Sequence, residues 1–315
     1  MINRCPICDK ISDEFVTERI NNENKGELKI NVWRCRDCML DFLETWDDKD
    51  YINSLYKGDK YIFSSNVVET TNIPLKYDEY KERLKQIEPY LEKEASLLEV
   101  GCGSGEFLNL VRDKVETAEG VEITPSQVQK VRSDGFRCYD VMITEMNPPK
   151  QYDVICMFAL LEHVPNVKEF LEYLKRYLKD SGLVFIEVPN LNCPLLSCYD
   201  IPAYRKMQYR SVHQYYFTPT AIGKLLKNAG FDYEITTCQQ ASITNHFHWM
   251  HQRNPQPTKN HMSSVVLPLT YYNGGYLDGS VMKEILEEVD DLYREKIVER
   301  DMGNLISARA WIKSD

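Results

Sequence analysis

Leu97-Leu98-Glu99-Val100-Gly101-Cys102-Gly103-Ser104-Gly105-Glu106-Phe107-Leu108 runs from an apolar strand through a glycine-rich turn into the start of a helix. Glycines in such a turn allow a tight reversal and let a ligand approach the backbone closely. The stretch has no Gly-Lys-Ser/Thr, so it is not the loop that grips a nucleoside triphosphate. One strand later, Gly120-Val121-Glu122-Ile123 places a carboxylate at a strand end, 17 positions beyond Gly105, where it can accept from the hydroxyls of a ribose. Together these features indicate an adenosine-containing cofactor. Dinucleotides and S-adenosylmethionine both fit that description.

Outward from this stretch the pattern alternates. Strands are expected at 96–100, 117–122, 136–139, 152–158, 182–188, 233–238 and 304–312, and helices at 78–94, 106–114, 125–134, 167–179 and 218–229, the last closed by Gly230. Strand and helix in alternation specify an α/β fold with a mostly parallel sheet covered on both faces. Between 239 and 303 the alternation stops, which reads as an insertion before the last strand. It begins with a histidine- and proline-rich stretch holding His246, His248 and His251, readable as a lid, an interface, part of the acceptor pocket or a second metal site. An amphipathic helix at 280–300 follows, with Val281, Ile285, Val289 and Leu292 on one stripe that is expected to pack on the body or on a second copy in a homodimer. Its polar face is too acidic for a membrane surface.

The 315 residues carry 38 basic and 48 acidic side chains, a net charge of 38 − 48 = −10, which weakens the case for binding nucleic acid. The longest apolar run, Val154 to Leu161, has eight residues, too few to cross a bilayer. Met1-Ile2-Asn3-Arg4 does not resemble the start of a signal peptide, so a cytoplasmic location is expected. In that compartment ten cysteines are not read as disulfides. Four are organised: Cys5-Pro6-Ile7-Cys8 and Cys35-Arg36-Asp37-Cys38, separated by 26 residues, can place four thiolates around one zinc ion. Four protein ligands close the coordination sphere, so the zinc is expected to be structural. The resulting organisation is a ribbon at 1–47, a connector at 48–78 with Tyr51, Tyr56, Gly58, Tyr61 and Phe63, a core at 79–240, the insertion at 241–302 and the last strand at 303–315.

From 79 to 240 the chain resembles the class I S-adenosylmethionine-dependent methyltransferases. Glu99 through Gly105 looks like that family's first motif, distinguished from the dinucleotide fingerprint by the acid before the glycines. Tyr152-Asp153-Val154-Ile155 with Leu161-Glu162-His163-Val164 resembles the fourth-strand motif, and Gly182 to Ile186 the fifth strand. The resemblance implies a Rossmann-like seven-stranded sheet with a reversed last strand. It further implies cofactor contacts from Glu99 near the methionine amino group, from Gly101, Cys102, Gly103 and Gly105 in the turn, from Glu122 and Ile123 at the ribose, from Asp140 and Val141 at the adenine, and from Phe158. Some relatives bind a divalent ion through an acid three positions before the glutamate of Glu162-His163; this chain has Ala159 there, and His163 is read as capping the following helix or facing the acceptor.

Methyl transfer to a hydroxyl needs alignment and a base. The candidate base is His213 in Tyr209-Arg210-Ser211-Val212-His213-Gln214-Tyr215-Tyr216-Phe217-Thr218-Pro219. That segment looks like one found in bacterial methyltransferases with an N-terminal zinc ribbon, some acting in surface-polysaccharide and sugar modification, which implies a small sugar or nucleotide-linked acceptor. Tyr209, Arg210, Tyr215 and Tyr216 are expected to line its pocket. Sugar C-methyltransferases resemble the chain too, but their tyrosine and glutamate near the histidine correspond here to Arg210 and Val212, which favours oxygen as the acceptor atom. An RNA methyltransferase using the ribbon as a grip, and a non-catalytic binding protein that retains the fold, are the other readings.

Overall fold

The computed structural model describes residues 3–21, 28–45, 73–146, 150–199, 201–209, 212–256, 264–265 and 279–313. Connector residues Tyr51, Tyr56, Gly58, Tyr61 and Phe63, and Arg210 of the expected acceptor pocket, lie outside them. Near the N-terminus, β1 (Glu14–Asn21), β2 (Leu28–Cys35) and β3 (Leu40–Leu43) form an antiparallel ribbon. Helix α1 (Ile73–Ile87) begins inside the expected connector. The alternating region follows as β4 (Ser96–Val100), α2 (Glu106–Val111), β5 (Thr117–Val121), α3 (Pro125–Ser133), β6 (Arg137–Tyr139), β7 (Tyr152–Phe158), α4 (Val167–Leu174) and β8 (Leu178–Pro189).

Val154, Ile155, Cys156 and Met157 are all buried, as expected of a strand whose two faces are both covered. One covering helix is α4, whose Val167, Phe170, Leu171 and Leu174 fall at helical spacing and are buried. The sheet order is β10-β11-β8-β7-β4-β5-β6, where β10 is Phe231–Cys238 and β11 is Leu305–Ile312. Strands β4 to β8 pair in parallel, and β11 runs antiparallel to both neighbours, giving the reversed last strand. From β4 the chain builds outward to β6 and then returns to β7 on the other side of β4. That reversal opens a crevice at the strand C-termini, where ligands bind in such sheets. The turn read before Gly182 is an irregularity inside a longer β8, across which pairing jumps from Tyr152–Leu178 to Val154–Leu183.

Three elements between β8 and β10 were not foreseen: the short helices α5 (Pro194–Ser197) and α6 (Pro202–Gln208) and the two-residue strand β9 (Tyr215–Tyr216). Strand β9 pairs with β3, so the ribbon sheet takes its fourth strand from the core segment. Helix α7 (Pro219–Asn228) starts as expected at Thr218, whose Oγ1 accepts from Ala221 N at 3.1 Å. Helices α8 (Ile243–Gln252) and α9 (Gly279–Val298) make up the insertion.

Helix α9 does not lay its apolar stripe on the body, the first of its two expected partners. Val281, Ile285, Val289 and Leu292 are all more than 40% exposed among the described residues. The polar side holds α9 to the body instead: buried Asp290 accepts from Ile243 N at 2.6 Å, Arg294 donates to the carbonyls of Gln239 and Gln240, and Tyr293 Oη meets His246 Nδ1 at 2.6 Å. A buried backbone group needs a partner more than a methyl needs a neighbour, so specific hydrogen bonds outweigh the apolar stripe here.

Candidate functional site

The turn after β4 has φ of +76° at Gly101, +54° at Gly103 and +83° at Gly105, backbone that a side chain would strain. A Cβ at Gly101 would also press on Leu160 at 3.0 Å. Gly101 N and Cys102 N donate to Val121 O, tying the turn to the end of β5. Beneath it the Glu122 carboxylate accepts from Gly103 N at 3.0 Å and from Ile123 N and Thr124 N, each at 2.8 Å. Three N–H donors therefore aim this carboxylate at the glycine turn. Its two oxygens offer about four lone-pair sites, which leaves roughly one for a ligand hydroxyl.

Glu99, the last residue but one of β4, is 3% exposed, and its Oε2 meets no hydrogen-bond partner among the described residues. Burial pushes its carboxyl well above the usual range, against the pull of Arg83. A buried acceptor without a donor is costly unless a ligand supplies one, and an ammonium at this position would do so. The cradle thus fits the amino-acid end of S-adenosylmethionine at Glu99 and its ribose at Glu122. Further out, Ile123 and Val141 are each 37% exposed at the rim of the strand C-termini, two apolar surfaces suited to a flat base. Asp140 stands beside them on the surface, its Oδ1 3.2 Å from Arg132. Phe158 closes the other side, edge-on to Phe107 at 4.8 Å between ring centroids.

Helix α1 supplies site residues that the motifs do not reveal. Arg83 donates through Nε to Glu187 at 2.7 Å and lies 4.8 Å from the Phe158 ring centroid. Burial and the nearby charges of Glu106 and Glu99 push the Tyr80 phenol up, and Arg83 lies 4.9 Å from its ring centroid. Their signal was an aromatic and an arginine three apart on one face of a helix preceding the first core strand, too common a pattern to single out.

On the acceptor side, Gln214 N and Tyr215 N donate to Glu162 O at 2.7 and 3.3 Å, pinning the His213 segment to the loop that leaves β7. His213 and His163 stack edge to face, 4.7 Å between centroids, and His163 Nδ1 lies 3.1 Å from Val212 O. One ligand atom from each of Glu162, His163 and His213 falls within 4.8 Å of the others. His213 lines a small cavity with Asn190, Gln208, Tyr215 and Tyr216. Tyr215 borders that cavity by its ring, while its hydroxyl accepts from Val167 N at 3.3 Å at the start of α4. Tyr209 is bound elsewhere too: its hydroxyl donates to Asp41 of the ribbon at 2.6 Å, and its ring packs on Tyr216. Both tyrosines therefore have structural uses in addition to bordering the cavity.

The histidines of the insertion do not converge. His246 is buried between Tyr293 and Gln239, His251 is exposed, and burial lowers the His246 imidazole to about 4. In the ribbon, by contrast, the sulfurs of Cys5, Cys8, Cys35 and Cys38 lie within 4.8 Å of one another, with Cys8 to Cys35 at 3.7 Å. Zinc bonds of about 2.3 Å in tetrahedral geometry require sulfurs roughly 3.8 Å apart. Ile7 N points at Cys5 Sγ at 3.4 Å, a donor suited to a thiolate.

A family model described as a methyltransferase domain matches residues 75–235. Among curated proteins, the chain is 25% identical over 167 residues to the ubiquinone biosynthesis O-methyltransferase of Saccharophagus degradans, covering 49% of this chain and 71% of that one. It is 26% identical over 101 residues to a probable (S)-tetrahydroprotoberberine N-methyltransferase of Papaver bracteatum, covering 29% and 28%. A chain in the solved complex of the Haloferax volcanii Trm112 methyltransferase activator with a putative methyltransferase superposes with a TM-score of 0.51 at 12% identity, over 86% of this chain and 97% of that one; this is a likeness of fold. The expected kinship with sugar and polysaccharide enzymes does not emerge from these relatives.

Proposed function

The chain belongs to the methyltransferase domain family, and from that premise we propose that it transfers the methyl group of S-adenosylmethionine to a hydroxyl oxygen of a small molecule. When bound, S-adenosylmethionine would supply an electrophilic methyl, which would pass from sulfur to the hydroxyl oxygen to leave S-adenosylhomocysteine while the hydroxyl proton goes to a base. Glu99 and Glu122 hold the donor at its amino and ribose ends, and Phe158 with Arg83 shields the site from water. His213 takes the proton. The observation that carries this reading is the pinning of His213 onto the Glu162–His163 loop, which leaves β7 at the same, C-terminal, end as the glycine turn leaves β4. The O-methyltransferase among the relatives supports oxygen as acceptor.

The four ribbon cysteines hold a structural zinc. It stabilises a small sheet whose strand β3 carries Asp41 to Tyr209 and pairs with β9 beside His213. The acceptor is a soluble small molecule with several hydroxyls, of sugar or nucleotide-linked type. The test is formation of S-adenosylhomocysteine over a panel of hydroxylated acceptors by wild type, His213→Ala and His213→Gln. Loss of a general base predicts turnover slower by about 10²–10⁴, with binding of S-adenosylhomocysteine unchanged. Full turnover in His213→Ala would remove the histidine from the mechanism.

A further inference from the structure

A cavity of about 390 Å³ opens between the cysteine ribbon and the segment that follows β8. Arg34 and Met39 form its ribbon wall, and Asn192, Ser197, Arg205 and Thr218 line it from the body. It shares Leu191, Leu196 and Tyr209 with the small cavity at His213, so the two are neighbours. A volume of this size accommodates a small metabolite.

In a chain whose net charge is −10 the charged wall residues are both arginines, Arg205 and Arg34, the latter bound by Asp41 and approached by Glu14 at 3.7 Å. Guanidinium groups converge on Tyr209: Arg19 lies 5.4 Å and Arg205 6.0 Å from its ring centroid, and Arg34 binds the carboxylate that receives its hydroxyl. Asp41 is consumed by this network, since it takes two bonds from Arg34, at 2.6 and 2.8 Å, and one from Tyr209. Arg19 donates to the carbonyls of Arg205 and Lys206, and its Nε is buried with no hydrogen-bond partner among the described residues. The planar guanidiniums of Arg34 and Arg205 with the Asn192 amide suit a phosphate.

We infer that this cavity binds a phosphate group of the acceptor, presenting one of its hydroxyls to His213, and that the ribbon is therefore a wall of the acceptor site. The inference rests on the methyltransferase reading above and adds the acceptor's charged group. The ribbon reaches the body through Thr218 to Met39 O, Leu43 N to Gln214 O and Asn228 to Ile7 O, at 2.8, 2.9 and 3.0 Å, so its placement depends on the same segment that carries His213.

The test titrates the full chain, zinc-loaded and saturated with S-adenosylhomocysteine, with glucose 1-phosphate and with glucose. The sugar phosphate should bind at least tenfold more tightly than glucose, and inorganic phosphate should compete with it. Arg205→Ala should weaken its binding about tenfold, with Arg205→Lys in between. Ser197→Trp, a substitution at an exposed position that fills the cavity, should block it without disturbing binding of S-adenosylhomocysteine, and serves should Arg205→Ala fail to fold. Equal binding of glucose and its phosphate, or binding indifferent to both Arg205→Ala and Ser197→Trp, overturns the inference and leaves the methyltransferase reading intact. Failure of the wild type to bind S-adenosylhomocysteine overturns that reading instead.

Discussion

Replacing Glu122 by glutamine tests the donor site at its best-defined point. The carboxylate accepts three backbone N–H bonds, from Gly103, Ile123 and Thr124, and has about one lone-pair site left for a ribose hydroxyl. A hydrogen bond to a charged group contributes about 1.5–3 kcal/mol, and each 1.4 kcal/mol is a factor of ten in Kd. Glu122→Gln should therefore weaken S-adenosylhomocysteine binding by about 10- to 100-fold. The amide also turns an NH₂ group toward donors that need an acceptor, which costs about 1–3 kcal/mol of stability and lowers the unfolding midpoint by a few degrees. Calorimetric titration at a temperature where the melting curve shows the variant folded separates the two effects. A folded Glu122→Gln protein with a Kd within threefold of wild type would refute the assignment of Glu122 to the ribose.

Glu99 is expected to make the proposed donor site pH-sensitive. Its raised carboxyl means that the ligand-free protein loses stability as pH rises through the folded-state value, whereas an ammonium requires the carboxylate. S-adenosylhomocysteine should bind more tightly with rising pH and release a proton on binding; calorimetry in two buffers of different ionisation enthalpy measures this, and Glu99→Gln should abolish it. His246 acts on stability in the opposite sense. Burial holds its imidazole at about 4 against an ordinary 6.5, so the unfolded chain is protonated first and about 3 kcal/mol of stability drains away as pH falls from 6.5 to 4. Urea midpoints at pH 7 and 4.5 should differ by less in His246→Gln than in wild type. Metal analysis should find one zinc per chain, and Cys35→Ser should lose it together with several degrees of melting temperature; a full complement of zinc in that variant would contradict the four-cysteine site.

The glycine turn, the acids at 99 and 122 and the cysteine pairs were legible in the sequence because each acts locally. Positive φ, a carboxylate at a strand end and a two-residue gap between thiols are properties of a few consecutive residues. Strand β7 was equally legible, since burial on both faces leaves an unbroken apolar run. Helix α9 left two partners open, the body and a second copy, for a related reason: an apolar stripe reports amphipathicity but not which side is held. What holds it, Asp290 on Ile243 and Arg294 on two carbonyls, joins residues about 50 positions apart.

Other features came only from the tertiary structure. Tyr209 borders the cavity as expected, but its hydroxyl is taken by Asp41, 168 positions away. Strand β9 is two residues long and exists because β3 pairs with it, so no periodicity could announce it. Arg83 and Tyr80 became candidate site residues when α1 packed against α2 and Arg83 reached Glu187 of β8, and the cavity holding Arg34 and Arg205 arose where the ribbon met the segment after β8. Sequence alone determined the sheet and brought into view the glycine turn, Glu99, Glu122 and the two cysteine pairs, each a pattern within a few consecutive residues. The acceptor side was decided by packing between distant segments, because a pocket wall is set by which side chains meet across space.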